Sequence, residues 1–220
     1  MGIIVGVMAR APAPGRCKTR LAPSLGDVGA ATLYRAMLLD TLEGLERGLE
    51  DAARLVVMAA PEEDGVEAMR ALAPPRWEVL AQRGVGLGER LTNASRQLGP
   101  AGDVVALVGS DSPTVDFRAI ARALSGAKQP RHVLMGPCDD GGYYVIGMTS
   151  PEPGVFEGID WSTSHVQRQT RGRCAALGLT LEELPPGYDV DDAKDLARLR
   201  AELRAVPAIA PRTAAVLGER

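Results

Sequence analysis

Four cations and two prolines crowd the segment Arg10-Ala11-Pro12-Ala13-Pro14-Gly15-Arg16-Cys17-Lys18-Thr19-Arg20-Leu21. A nucleoside phosphate needs its charge neutralised by cations and backbone amides that converge, and prolines stiffen the loop that carries them. Arg10, Gly15, Arg16, Lys18 and Arg20 are therefore candidate phosphate-binding residues. Charge clusters more often form a plain solvated loop, but this one directly follows the apolar run Gly2 to Ala9, a location that favours function. It is neither a Gly-Lys-Ser/Thr phosphate loop nor a Gly-x-Gly-x-x-Gly dinucleotide turn, so ATPase and NAD(P) chemistry lose support.

Acids complement these cations. Asp111 ends the run Val104-Val105-Ala106-Leu107-Val108-Gly109-Ser110-Asp111-Ser112-Pro113, and such an acid can ligate Mg²⁺ or Mn²⁺ bridging two phosphates. Its bland alternative is a turn or cap aspartate ahead of Pro113. Ser110 beside it joins the candidate nucleotide contacts. A second acidic turn, Asp139-Asp140-Gly141-Gly142-Tyr143-Tyr144, is either an ordinary β-turn or the floor beneath a sugar or acceptor, with Asp139 or Asp140 as base. In Asp189-Val190-Asp191-Asp192, alternation puts Asp189 and Asp191 on one side, so that one joins Asp111 on the metal while the other caps. Asp192 reads as a helix cap. His165 is a base or acceptor contact, or simply an exposed polar residue; His132 reads as structural. Gly84-Val85-Gly86-Leu87-Gly88 is equally a flexible lead-in to a helix or a loop that lets backbone approach a nucleotide base.

Strands and helices must alternate to hold these residues. Gly2–Ala9, Leu55–Ala60, Trp77–Ala81, Val104–Val108, Val133–Gly136, Tyr143–Gly147 and Leu179–Leu184 read as strands. Helical spacing runs from about Asp27 to Arg47, from Pro61-Glu62-Glu63 onward, and over Glu89–Leu98 and Asp116–Leu124. Further helices run from Ser162 or Thr163 to Leu177, and from Asp191 or Asp192 to Arg204. The short turn at 138–142 suggests a hairpin or a sharp strand exchange. This order predicts one α/β domain with a mostly parallel, Rossmann-like sheet covered on both faces, spanning 1–204, with a peripheral tail at 205–220. Ligands of such sheets collect outside the carboxyl ends of the strands, which is where Asp111 would sit.

The chain has 220 residues, a net charge of -3 and 4% aromatic residues, which argues against a nucleic-acid binder. Cys17, Cys138 and Cys174 show no metal spacing and read as reduced thiols. Without a signal-like amino terminus or an apolar run of membrane-spanning length, a cytoplasmic location is expected.

Together the motifs at 9–21, 84–91, 109–113, 139–147, 161–163 (Trp-Ser-Thr) and 189–196 resemble a family of bacterial glycosyltransferase-like proteins, transferases associated with radical-SAM and selenium-domain proteins. That family is similar to the nucleotide-diphospho-sugar transferase superfamily of GT-A fold, whose relatives include molybdenum-cofactor and phospholactate guanylyltransferases. The resemblance implies that Arg10, Arg16, Lys18 and Arg20 hold phosphates, that Gly86 and Gly88 lie near the base, and that Asp111 is the metal aspartate. It also implies a second metal ligand near Asp191, as in the nucleotidyltransferase relatives. The residues themselves make Gly141, Gly142, Tyr143 and His165 the candidate sugar or acceptor contacts. A full Asp-x-Asp metal motif is absent from 109–113. The resulting expectation is a Mg²⁺- or Mn²⁺-dependent transferase with a nucleotide-activated donor and a small-molecule acceptor. Glycosyl transfer stands ahead of nucleotidyl transfer, and a non-catalytic nucleotide binder is the other class. Homodimerisation is left open.

Overall fold

The computed structural model describes residues 2–61, 64–99 and 103–219. In chain order the elements are β1 (Ile3–Ala9), α1 (Ala22–Leu49), β2 (Ala53–Ala59), α2 (Gly65–Leu72), β3 (Glu78–Ala81), α3 (Leu87–Leu98) and β4 (Val104–Gly109). They continue with α4 (Phe117–Gly126), β5 (His132–Pro137), β6 (Tyr143–Thr149), α5 (Val166–Ala176), β7 (Thr180–Glu183), α6 (Ala193–Ala205) and α7 (Pro211–Leu217). The sheet order is β3-β2-β1-β4-β6-β5-β7. All neighbours are parallel except β6, which runs antiparallel between β4 and β5, so the acidic turn closes a hairpin.

The strands are apolar throughout because both faces are covered. Val5, Val7 and Val57 face a layer formed by α1, α2 and α4, whereas Ile4, Val56 and Met58 face α3 and α5. A third cluster joins the amino-terminal half of α1 to α6 and α7 through Leu33, Met37, Leu199, Leu203 and Ala214. This is the single α/β domain, helices on both faces, that the alternation implies.

Differences lie at element ends. Within α1, Gly26 leaves helical geometry (φ 71, ψ 163), so the uninterrupted helix starts at Asp27, where the periodicity begins. Ser162 has φ 64, which delays α5 to Val166. Glu62 and Glu63, read as opening a helix, lie outside the described residues; α2 starts at Gly65. The tail is not peripheral. Ala210, Thr213, Ala214 and Leu217 are buried, and Asp40, itself buried in the middle of α1, accepts hydrogen bonds from the Arg212 and Thr213 amides and the Thr213 hydroxyl. A carboxylate on a neighbouring helix thus satisfies the open amides at the start of α7. No helix among the described residues is long and apolar enough to cross a membrane.

Candidate active site

The parallel strands β1 to β4 end on the same side, and the segments leaving them enclose a cavity of about 760 Å³. Its lining includes residues of the basic loop after β1 and Ser110 and Asp111 after β4. It also includes Asp140 and Gly142 from the hairpin turn and Trp161 to Ser164 ahead of α5. The cavity occupies the position where open α/β sheets receive ligands.

At its centre lies Lys18. Its backbone is left-handed (φ 48) and its side chain only 7% exposed. The ammonium Nζ stands 2.9 Å from Asp111 Oδ1 and 2.7 Å from Asp191 Oδ1. Burial alone would lower the Lys18 pKa, but the charges of Asp111 and Asp191 more than offset it and hold the group above the ordinary lysine value. Asp191 is carried to this point by the backbone: the Val190 amide donates to the Asp111 carbonyl at 2.9 Å. Just beyond, Asp192 caps α6 in a reciprocal box with Asp195. The alternation of 189–192 therefore resolves with Asp191 beside Asp111 and Asp192 as the cap.

Asp189 lines the cavity near this pair. Its Oδ1 accepts from the Ser112 hydroxyl at 2.5 Å and from the Cys138 thiol at 3.6 Å. Burial, followed by the charge of Asp111, pushes its pKa up to about 6. These partners fix the Asp189 side chain, which lines the cavity together with Asp111 and Asp191.

Two hard carboxylate oxygens converging on one cation suit Mg²⁺ or Mn²⁺, which are typically held by one or two carboxylates, phosphate oxygens and water. No group of three or more acidic, His or Cys side chains capable of holding an ion occurs among the described residues. The pair thus fits a metal that shares its coordination with a bound phosphate.

In the basic loop, Arg10, Lys18 and Arg20 line the cavity, and Gly15 and Arg16 do not. Gly15 makes the turn with φ 71, and the Arg16 carbonyl accepts from the Arg10 guanidinium at 2.8 Å, so these two shape the loop. Ser110 lines the cavity, and its hydroxyl lies 2.9 Å from that of Tyr34, which also accepts from the Arg10 amide. Burial and then the Asp111 charge push the Tyr34 pKa up to about 12. Sequence reasoning missed Tyr34, because a tyrosine within an apolar helical stripe reads as core. It also missed Gln82, whose side-chain nitrogen donates to the carbonyls of Ala9 and Met58 and ties together the ends of β1, β2 and β3.

The glycine loop is held in place. Glu89 accepts from the Val85 amide, and Arg90, which lines the cavity, reaches back to the carbonyls of Gly84 and Val85. Gly86 and Gly88 are not part of the lining: Gly86 precedes α3, and a Cβ on Gly88 would come within 2.3 Å of Trp161 Nε1. Gly88 thus makes room for the Trp161 indole, which does line the cavity. Glu89 and Arg90 were legible as part of the Gly-Leu-Gly-Glu-Arg-Leu motif, without a role.

The hairpin turn divides its two acids. Asp139, one of the two base candidates, pairs with Arg198 at 2.6 Å and is not part of the lining. Asp140 lines the cavity, and its Oδ1 accepts from the Gly142 amide. Gly141 (φ 91) packs so closely on Ser164 that an added Cβ would lie 2.4 Å from its carbonyl oxygen. It is not part of the lining. Tyr143 presents its ring, edge-on to Trp161 at 6.3 Å, while its hydroxyl is buried without a partner. His165 is exposed outside the lining, where it precedes α5.

Comparison with known proteins agrees with this geometry. A family model described as an uncharacterized protein conserved in bacteria (DUF2064) matches residues 45–163. The crystal structure of a candidate nucleotide-diphospho-sugar transferase from Desulfovibrio desulfuricans G20 has 32% identity over the whole chain and 95% of its own, with a TM-score of 0.89. More distant in sequence are the CMP:2-keto-3-deoxy-manno-octonic acid synthetase complexed with CTP and the Rv0371C protein of Mycobacterium tuberculosis H37Rv complexed with manganese. The synthetase has 13% identity, covering 93% of this chain and 99% of its own, with a TM-score of 0.59; Rv0371C has 17%, 90%, 98% and 0.55. These two share the fold. No match is found among curated proteins.

Proposed function

The chain belongs to the bacterial family DUF2064 and is a glycosyltransferase- or nucleotidyltransferase-like enzyme; from that premise we propose that it is a divalent-metal-dependent transferase moving a glycosyl group from a nucleoside-diphosphate sugar to a small-molecule acceptor. The observation that carries this reading is the convergence of Asp111 and Asp191 on one buried cation at the carboxyl ends of the parallel strands. Asp111 and Asp191 would hold Mg²⁺ or Mn²⁺, which when bound supplies Lewis-acid neutralisation of the diphosphate leaving group. Arg10 and Arg20 line the same cavity and would add to that charge stabilisation. Asp140, also in the lining, would accept a proton from an acceptor hydroxyl, and the Trp161 and Tyr143 rings give the cavity an apolar surface.

Nucleotidyl transfer is the second reading. It is favoured by the metal pair being drawn from two distant segments, 111 and 191, in place of one Asp-x-Asp motif. In that chemistry an acceptor phosphate attacks the α-phosphorus and needs no protein base. Incubation with a panel of nucleoside triphosphates and nucleoside-diphosphate sugars plus Mn²⁺ separates the two. Release of a nucleoside diphosphate from a sugar donor is the expected result; pyrophosphate release from a triphosphate would transfer the assignment to the second reading.

A further inference from the structure

The position of Lys18 is unexpected for a phosphate contact. Lys18 lines the cavity with Arg10 and Arg20, yet its side chain is only 7% exposed and its ammonium is held against acids that are themselves 37% (Asp111) and 47% (Asp191) exposed. It engages Oδ1 of both acids at once, and so cancels one of the two negative charges that would attract an ion. A metal approaching the free protein meets a pair with half its charge neutralised and, among the described residues, no third ligating acid, His or Cys grouped with it. A polyphosphate changes both conditions, because its oxygens complete the coordination and its charge compensates the ammonium.

Building on the function proposed above, we propose that Lys18 is the resident counter-ion of the Asp111–Asp191 pair: it keeps divalent metal out of the free protein, so that metal and the phosphates of the nucleotide bind as one unit. Two ions of the same sign compete for the same oxygens, and the phosphate relieves that competition. Linkage makes the coupling reciprocal, so the metal strengthens phosphate binding by the same factor by which phosphate strengthens metal binding. Lys18 is thereby a positioning residue, acting on substrate through the two acids.

The test uses the full chain and Mn²⁺ alone, titrated calorimetrically into wild type, Lys18→Met and Lys18→Gln, with folding of each checked by circular dichroism. Removing a positive charge a few ångströms from the pair is expected to tighten Mn²⁺ binding by at least ~10-fold. Adding Asp111→Asn to either variant should abolish the gain, and Lys18→Arg, which keeps the charge, should resemble wild type. In a parallel melting series, Mn²⁺ and inorganic pyrophosphate together should stabilise wild type by more than the sum of their separate effects. That excess should shrink in Lys18→Met. Mn²⁺ binding no tighter in folded Lys18→Met or Lys18→Gln than in wild type would overturn the proposal, as would a gain that survives Asp111→Asn. Failure of every nucleotide to stabilise wild type would instead count against the proposed function, since the Mn²⁺ titration involves no nucleotide.

Discussion

At the scale of single residues, neighbouring acids have unlike environments and so should have unlike mutational effects. Asp111 meets a buried ammonium in the cavity, and Asp139 meets an exposed guanidinium outside it. Asp111→Asn is expected to lower turnover by two or more orders of magnitude, roughly what is lost with a charged group acting on the transition state. Asp139→Asn should leave turnover within about twofold of wild type, and because its ion pair is exposed it should cost no more than ~1 kcal/mol of stability. Steady-state kinetics and urea titration of both variants check this contrast. The cluster of motifs was legible in the sequence because acids and cations fall at strand ends. Which of two adjacent acids faces the cavity was not, because a tight turn rotates successive side chains in ways that composition does not encode. Asp189 and Asp191 differ for another reason: Ser112 and Cys138, distant in sequence, supply the partners of Asp189, whereas Asp191 pairs with Lys18.

At the scale of elements, two contacts govern how helices meet the site. Gly88, in the first turn of α3, leaves space for the Trp161 indole. Gly88→Ala is expected to displace that ring, shifting tryptophan emission and raising KM for donor or acceptor with a smaller change in melting temperature. Unchanged emission would show that the helix yields in place of the ring. The second contact is Asp40 against the start of α7. Asp40→Ala leaves the Arg212 and Thr213 amides without their partner, and should cost about 1–3 kcal/mol by urea denaturation. Burial raises the Asp40 pKa above the ordinary carboxylate value despite these hydrogen bonds. A carboxyl whose folded pKa is raised stabilises the fold most at low pH. That contribution declines as pH rises from about 4 through the folded value. The stability difference between wild type and Asp40→Ala should accordingly narrow over that interval.

At the scale of the whole molecule, the strand and helix order was readable because both-face burial leaves uninterrupted apolar runs. The docking of the carboxy-terminal segment was not. Ala210, Ala214 and Leu217 form an apolar stripe too short to stand out, interrupted by prolines, and its anchor Asp40 is some 170 residues away in sequence. Truncation after Ala205 is expected to destabilise the domain by about 3–5 kcal/mol, from lost apolar burial on α1 and an uncompensated Asp40. A melting temperature unchanged by that truncation would contradict the packing described. Gln82 and Tyr34 belong to this scale as well, since each connects strand ends or loops that only the assembled sheet makes neighbours.

The amide of Val190 bonded to the carbonyl of Asp111 also has a temporal meaning. A ribosome delivers Lys18 and Asp111 long before Asp191, so a growing chain can complete all seven strands of the sheet while its central ammonium still has only one of its two carboxylates. The site closes only when the segment ahead of α6 emerges and threads alongside the end of β4. Stalled chains ending near residue 188 should therefore carry a largely formed sheet and show no joint binding of Mn²⁺ and pyrophosphate, and those extended past the last helix should acquire that joint binding in one step.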